Sequence, residues 1–158
     1  MIKSDPSKWK DPRHRRGWEG EILARGFLIK RGWRILAHRF RMGRLEIDLV
    51  ARRGSVVAFI EVKTRLGDAF GSPLEAVTAT KQREIARVAS AWIDRHGKAG
   101  DAYRMDVVGV TMGRSRPPKI EHVADAFRVG WRRNDFRDIF GHLQGAGSRE
   151  QINEQGIA

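Results

Sequence analysis

Residues 45–50, Leu45-Glu46-Ile47-Asp48-Leu49-Val50, decide the fold together with residues 59–65, Phe-Ile-Glu-Val-Lys-Thr-Arg. Both stretches have the composition of buried strands, yet both carry acidic residues. Side chains alternate across a strand, so the first stretch has two faces. One face carries Leu45, Ile47 and Leu49, and the other carries Glu46, Asp48 and Val50. This alternation predicts that Asp48 points away from its apolar neighbours.

The second stretch belongs to a strand that starts at Val56 and has an apolar face of Val56, Ala58, Ile60 and Val62. Its opposite face then carries Glu61 and Lys63, about 7 Å apart along the strand. Gly54 lies between the two strands and suits a tight turn that needs positive φ. The pattern predicts an antiparallel hairpin that brings Asp48 close to Glu61.

Two adjacent carboxylates create an electrostatic problem that limits their possible roles. At about 4 Å they repel by about 4 kcal/mol at an effective dielectric near 20, so the pair needs a proton or a cation. Hard oxygen ligands suit Mg²⁺ or Mn²⁺, and Lys63 could position or deprotonate a water beside the metal. The simpler alternative is a surface salt bridge between Glu61 and Lys63.

The composition indicates a polyanionic partner. The 158 residues include 31 Lys and Arg against 19 Asp and Glu, a formal net charge of +12. This balance favours nucleic acid first and an anionic membrane surface second. No apolar run is long enough to span a bilayer, and the N-terminus lacks an apolar signal core, so we expect a cytoplasmic protein without a membrane association. The absence of Cys and of paired His spacings argues against zinc.

Helical periodicity predicts a first helix over residues 17–31, with Glu21 on the same face as Ala24 and Leu28. A glutamate on such a stripe is either paired or functional. A first strand over 33–40 precedes the acidic hairpin. A second helix is predicted to begin at Thr78 or Thr80 and to end at Gly97, with a core stripe of Ile85, Val88, Ala89 and Trp92.

The remaining elements follow from similar patterns. A strand over 103–111 contains Asp106, which we interpret as a structural partner for an arginine. An edge strand over 119–123 and a helix over 124–143 complete the order. The predicted organisation is a basic flexible arm over 1–16, one domain over 17–127, and a C-terminal helix with a disordered tail over 128–158.

Basic side chains cluster beside the acidic strands. The arm could follow a phosphate backbone or only solubilise the protein. Lys81 and Arg83 lie in the first turn of the second helix, where a bound anion would suit them better than the helix dipole does, although a solvated helix start is the alternative. The predicted nucleic-acid contacts are Arg39, Arg41, Arg44, Arg65, Lys81 and Arg83.

Taken together, these motifs resemble a known family. A helix with Glu21, a strand with Glu46-Ile47-Asp48 and a strand with Glu61-Val62-Lys63 are similar to the PD-(D/E)xK nuclease superfamily. Further short motifs resemble the YraN family of small bacterial proteins across residues 17–127: Gly20-Glu21, Phe70-Gly71-Ser72-Pro73, Lys81-Gln82-Arg83 and Met105-Asp106-Val107-Val108.

The resemblance implies an α/β fold with a restriction-endonuclease-like core, a central mixed β-sheet flanked by helices in the order αβββαβ, akin to archaeal Holliday-junction resolvases. It also implies that Asp48 and Glu61 bind the metal, that Glu21 completes the metal site and that Lys63 assists the attacking water.

Two classes of function remain open. The first is a metal-dependent endonuclease that hydrolyses DNA phosphodiester bonds, with branched or structured DNA as a candidate substrate. Branched substrates would favour a homodimer. The second is a nucleic-acid-binding accessory protein that keeps the fold and cuts nothing. Three acids facing phosphates would weaken a pure binder, which favours the enzyme.

Overall fold

The computed structural model describes residues 9–67, 72–114 and 116–128. The elements are α1 Pro12–Lys30, β1 Arg34–Met42, β2 Leu45–Arg53, β3 Val56–Leu66, a short 3₁₀ helix Pro73–Ala76, α2 Ala79–His96, β4 Ala102–Met112 and β5 Lys119–Phe127. The predicted tail beyond residue 128 lies outside the described residues.

The five strands form one mixed sheet in the order β1-β2-β3-β4-β5. β3 and β4 are parallel, and the other neighbouring pairs are antiparallel. The parallel pair requires a long crossover, and α2 supplies it. The predicted mixed sheet with flanking helices is confirmed.

Both faces of the sheet are buried. α2 covers one face, where Phe59, Trp92 and Val107 belong to a single apolar cluster. α1 covers the other face through Leu28, which packs in a cluster with Ile60. The central strands therefore carry apolar side chains on both faces, which gives the continuous hydrophobic runs of their sequences.

The first helix begins at Pro12, five residues before the predicted start at Gly17. The side chain of Asp11 accepts a hydrogen bond from the backbone N–H of Arg13 at 2.8 Å, and Pro12 occupies the first helical position. Residues 12–16 of the predicted arm are consequently helical.

The last strand also differs from the prediction, because β5 runs to Phe127 where a helix was predicted from Ala124. A register irregularity in the β4–β5 ladder accompanies a positive φ of 48° at Asp125. The Asp125 backbone N–H donates to Asp106, and Phe127 is buried in the core. These tertiary contacts override the local helical pattern.

The second helix agrees with the prediction, since Thr78 is its N-cap and Gly97 its C-cap. Its predicted core stripe is buried. Among the residues described, no helix combines the length and the apolar character needed to cross a bilayer.

Candidate active site

The candidate site lies where β2 and β3 separate. Their pairing runs from Arg53 opposite Val56 to Leu49 opposite Ile60, so Asp48 and Glu61 stand just beyond the last pair. Oδ2 of Asp48 accepts a hydrogen bond from the backbone N–H of Val62 at 2.7 Å. The carboxylate therefore satisfies a backbone donor that the ladder no longer pairs.

The regular alternation of β2 is interrupted at this point. Ile47 and Val50 pack in the cluster beneath α2, whereas Leu49 packs in the cluster beneath α1. The prediction that Leu45, Ile47 and Leu49 share one face was therefore wrong. Register places Arg39 of β1 across from Asp48, and Arg39 has a positive φ of 55°, so both strands are irregular at the same level.

Asp48 occupies an environment that disfavours its charge. Burial raises the pKa of Asp48 well above its ordinary value, and the negative charge of Glu61 raises it further. The hydrogen bond from Val62 opposes these effects only in part. The two carboxylates therefore interact, as the hairpin prediction required.

Glu61 is only 4% exposed and is bracketed by two lysines. Its Oε1 accepts a hydrogen bond from Nζ of Lys63 at 2.8 Å. Nζ of Lys81 lies 3.6 Å from Oε2, and that buried oxygen has no hydrogen-bond partner among the residues described. The salt bridge between Glu61 and Lys63 exists, but it lies in a buried site rather than on an open surface.

Glu21 is 6% exposed and is held by two consecutive residues of β1. Its Oε2 lies 2.7 Å from Nε2 of His38, and both of its oxygens accept hydrogen bonds from Arg39 at 2.8 Å. Burial alone would raise the pKa of Glu21, but these hydrogen bonds outweigh burial and lower that pKa. The left-handed conformation of Arg39 allows neighbouring side chains to reach the same carboxylate.

One cavity of about 280 Å³ connects the acidic residues. Its lining comprises Arg13, Arg16, Gly17, Glu21, Asp48, Glu61, Val62 and Thr64. The structure thus places all three predicted acids on the same cavity, while Lys63 contacts the cavity residue Glu61.

The carboxylates of Asp48 and Glu61 suit a divalent cation, because they supply hard oxygen ligands and Oε2 of Glu61 accepts no hydrogen bond from the described residues. A cation would also relieve the repulsion that raises the Asp48 pKa. As arranged, no group of three or more His, Cys, Asp and Glu side chains in the described ranges could hold a metal. Glu21 is instead engaged with Arg39 and His38.

Aromatic side chains support the β1 residues that hold Glu21. Trp18 stacks on His38 with ring centroids 4.7 Å apart, and Trp9 packs edge-on against Trp18. The guanidinium of Arg39 lies 5.0 Å from the Trp18 ring centroid. The beginning of α1 is therefore fastened to β1 beside the cavity.

The predicted nucleic-acid contacts occupy several environments. Arg39 is engaged with Glu21, and Arg41 pairs with Glu46 at the edge of the sheet. Arg65 donates to the carbonyl oxygen of Ser72 at 3.1 Å. The remaining three are Lys81 beside Glu61, Arg83 bonded to Thr80, and Arg44 exposed at the β1–β2 turn.

Two cavity residues were missed in the sequence because they fall within the predicted flexible arm. Arg13 and Arg16 lie in the first turns of α1 and line the cavity. The signal that could have identified them is Asp11-Pro12, a capping residue followed by the amino acid most suited to the first helical position.

Asp106 has the structural role predicted for it. It is fully buried and accepts hydrogen bonds from Arg104 at 2.9 to 3.2 Å. His122 and the backbone N–H of Asp125 also contact the carboxylate. It therefore ties β4 to β5 on the sheet face opposite Lys63.

The mixed sheet, its helices and the acids beside the β2–β3 opening define a restriction-endonuclease-like core. Residues 20–110 match the model of the Uncharacterised protein family UPF0102. The chain belongs to this family, which is the YraN family of the resemblance above.

Individual relatives cover most of the described domain. The chain is 43% identical over 111 residues to a UPF0102 protein of Rhodococcus jostii, an alignment that covers 70% of this chain and 94% of the relative. It is 44% identical over 118 residues to a UPF0102 protein of Chlorobium chlorochromatii, an alignment that covers 72% of this chain and 91% of that relative. A UPF0102 protein of Geobacter sulfurreducens is 40% identical over 115 residues, with 73% and 90% covered.

Proposed function

We propose that this protein is a metal-dependent endonuclease that hydrolyses phosphodiester bonds in DNA. The observation that carries the proposal is the pairing of half-buried Asp48 with buried Glu61, in which loss of solvent and repulsion by Glu61 raise the pKa of Asp48. Without a cation this arrangement costs folding free energy, because a buried charge is unfavourable unless it is compensated. Binding of a metal ion would compensate the two carboxylates and so accounts for their placement side by side.

In this proposal Asp48 and Glu61 hold Mg²⁺ or Mn²⁺. The bound cation would lower the pKa of a water and neutralise charge that develops on the scissile phosphate. Lys63 orients the attacking water or stabilises the phosphate oxygens, because its ammonium group lies 2.8 Å from the metal-binding carboxylate. The role of Glu21 as a third ligand stays a prediction, and it would require Glu21 to exchange its contact with Arg39.

The charge distribution supports a nucleic-acid substrate. Arg13 and Arg16 line the acidic cavity from α1, and Lys81 approaches Glu61 from α2. Cations around an acidic centre would attract the phosphate backbone and offset its repulsion by the carboxylates. An enzyme of this kind would act on DNA in the cytoplasm, and symmetric cutting of branched DNA would require a homodimer.

The test is cleavage of labelled linear, nicked, flapped and four-way-junction DNA by the purified protein in Mg²⁺ or Mn²⁺ and in EDTA. We expect metal-dependent cutting that Asp48→Ala and Glu61→Ala abolish, and that Lys63→Ala slows at least about a hundredfold. Lys30→Ala is the control at an exposed lysine in the last turn of α1, and its cutting rate should stay within about tenfold of the wild type. Tight DNA binding without cutting in any metal would overturn the proposal in favour of a non-catalytic binding protein.

A further inference from the structure

A second cleft lies next to Lys63 on the α2 face of the sheet, over the C-terminal parts of β3 and β4. It has a volume of about 80 Å³. Its lining comprises Lys63, Arg65, Pro73, Gly109, Val110, Thr111, Lys119 and Glu121. Lys119 and Glu121 come from the edge strand β5, so three strands contribute to the cleft.

The walls of this cleft are fixed by close packing. A Cβ atom added at Gly109 would lie 2.3 Å from Pro73, so the 3₁₀ helix rests directly on the β4 backbone. Arg65 donates a hydrogen bond to Ser72, the residue that caps this helix. The cleft is therefore a built feature of the fold rather than a gap between loops.

The charge of the cleft is positive. Among the described lining residues, Lys63, Arg65 and Lys119 supply three cations against the single carboxylate of Glu121, although Lys63 is shared with Glu61. Lys119 is exposed and makes no ion pair with any residue that the structure describes. Since no aromatic ring of the described residues lines the cleft, its chemistry suits a phosphate group rather than a stacked base.

The position of the cleft relates it to the acidic cavity. Glu61 lines that cavity, and Lys63 both bonds to Glu61 and lines the cleft. Glu61, Lys63 and Arg65 follow one another on one face of β3 at intervals of about 7 Å. This interval is of the same order as the separation of neighbouring phosphates along an extended nucleic-acid strand.

We propose that this cleft, through Lys119 and Arg65, binds a phosphate within two positions of the one at the acidic pair. The inference rests on the proposed function and extends it to the substrate class. The substrate is a DNA strand that continues past the reacting phosphate into the cleft, so the protein cuts within chains rather than trimming a nucleotide from the end that would enter the cleft.

The test measures binding of the full-length protein to a fluorescent DNA duplex in EDTA, across about 50 to 200 mM salt. Lys119→Gln should weaken binding and lower the magnitude of the slope of log K against log salt by about 0.9, the value expected for one phosphate contact. Glu121→Gln should have the opposite effect on affinity, because it removes a negative charge from the same cleft. A loss of folding cannot produce this tighter binding.

The matched control is Lys30→Gln, an exposed lysine in the last turn of α1. It lies about 20 Å along the helix from Arg16, away from both cavities. Suppose that the wild type binds and cuts DNA, but that the Lys119 and Glu121 variants have the same salt slopes and affinities as Lys30→Gln. This result would overturn the cleft proposal and leave the proposed function standing. A wild type that binds no DNA would overturn both this inference and the proposed function.

Discussion

At the scale of single residues, the acids of this protein are stabilised in different ways. Glu21 has His38 and Arg39 as partners, and Asp101 accepts two hydrogen bonds from Arg52 at 2.7 and 2.8 Å. Within the described part of the chain, Asp48 has a backbone donor as its hydrogen-bond partner and faces another carboxylate. Its charge is therefore opposed where the charges of Glu21 and Asp101 are favoured, and a cation would relieve that opposition.

Removing the Asp48 charge should stabilise the metal-free protein. The pKa of Asp48 is higher in the folded than in the unfolded protein, so protonation of Asp48 favours folding. Its contribution to the free energy of unfolding is complete below the unfolded-state pKa and is lost as pH rises through the folded-state pKa. Asp48→Asn should therefore raise the melting temperature in EDTA at neutral pH, with a difference that shrinks toward pH 4. Thermal unfolding followed by circular dichroism across pH measures it.

Asp101→Asn provides a control of opposite sign. Burial opposes the charge of Asp101, but hydrogen bonds from Arg52 and the Lys98 backbone hold its pKa below the ordinary value. The contribution of ionised Asp101 to the free energy of unfolding is present above the unfolded-state pKa and is lost as pH falls through the folded-state pKa. This variant should lower the melting temperature at neutral pH. If both substitutions destabilise equally at neutral pH, the assignment of Asp48 as an uncompensated acid is contradicted.

Two arginines of β1 offer a matched comparison of buried and exposed pairing. Arg39→Ala leaves Glu21 with His38 as its remaining side-chain partner and should lower the free energy of unfolding by about 3 kcal/mol. Arg41→Ala breaks an exposed pair with Glu46 and should cost less than about 1 kcal/mol. Urea unfolding measures both. Equal losses would mean that Arg39 does not hold Glu21 in the folded protein.

At the scale of elements, the position of α1 depends on a close approach to β3. A Cβ atom at Gly20 would lie 1.8 Å from Oγ1 of Thr64, whereas one at Gly26 meets nothing within 4 Å. Both glycines are helical, so alanine has the same intrinsic preference at either site. The difference between them therefore reports the packing of α1 against the strand that carries Glu61.

Gly20→Ala should destabilise the protein by about 1 to 3 kcal/mol, because overpacking forces α1 away from β3. Gly26→Ala should stabilise it by about 0.5 to 1 kcal/mol, because alanine favours the helix. Chemical denaturation of both variants measures the effect. A Gly20→Ala variant as stable as Gly26→Ala would show that α1 does not pack on Thr64 as described.

The sequence predicted those elements whose signals are local or strictly periodic. The strand β4 and the capped, amphipathic α2 followed from strand alternation, helical spacing and Thr78. The irregularity at Asp48 and the left-handed Arg39 could not be predicted, because they depend on how β1, β2 and β3 meet. The continuation of β5 to Phe127 likewise depends on the long-range contact between Asp125 and Asp106.

The candidate site was predictable to a similar extent. The proximity of Asp48 to Glu61 followed from the hairpin, and the burial of Glu21 followed from the helical stripe. The partners of Glu21 did not follow, because no local pattern states that His38 and Arg39 would turn to the same face. The contribution of α1 to the cavity was not predicted, because the capping signal at its N-terminus was not used to place the start of the helix.

At the scale of the whole molecule, a strongly basic chain places three acids on one cavity. The formal net charge is +12, while Asp48, Glu61 and Glu21 share one opening lined by Arg13 and Arg16. A basic surface would draw a polyanion toward the acids, which oppose it unless a cation is present. Metal binding is therefore the step that would make the two features compatible.

The most direct measurement is a calorimetric titration of the metal-free protein with Mn²⁺, because it requires no knowledge of the substrate. We expect binding by the wild type that is lost in Asp48→Asn and in Glu61→Gln, while Lys30→Gln, at an exposed position in the last turn of α1, binds as the wild type does. Repeating the titration in two buffers of different ionisation enthalpy should reveal proton release that grows as the pH is lowered, because a cation competes with the proton for a carboxylate whose pKa is raised. Absence of Mn²⁺ binding by the wild type, or equal binding by the Asp48 and Glu61 variants, would contradict the account.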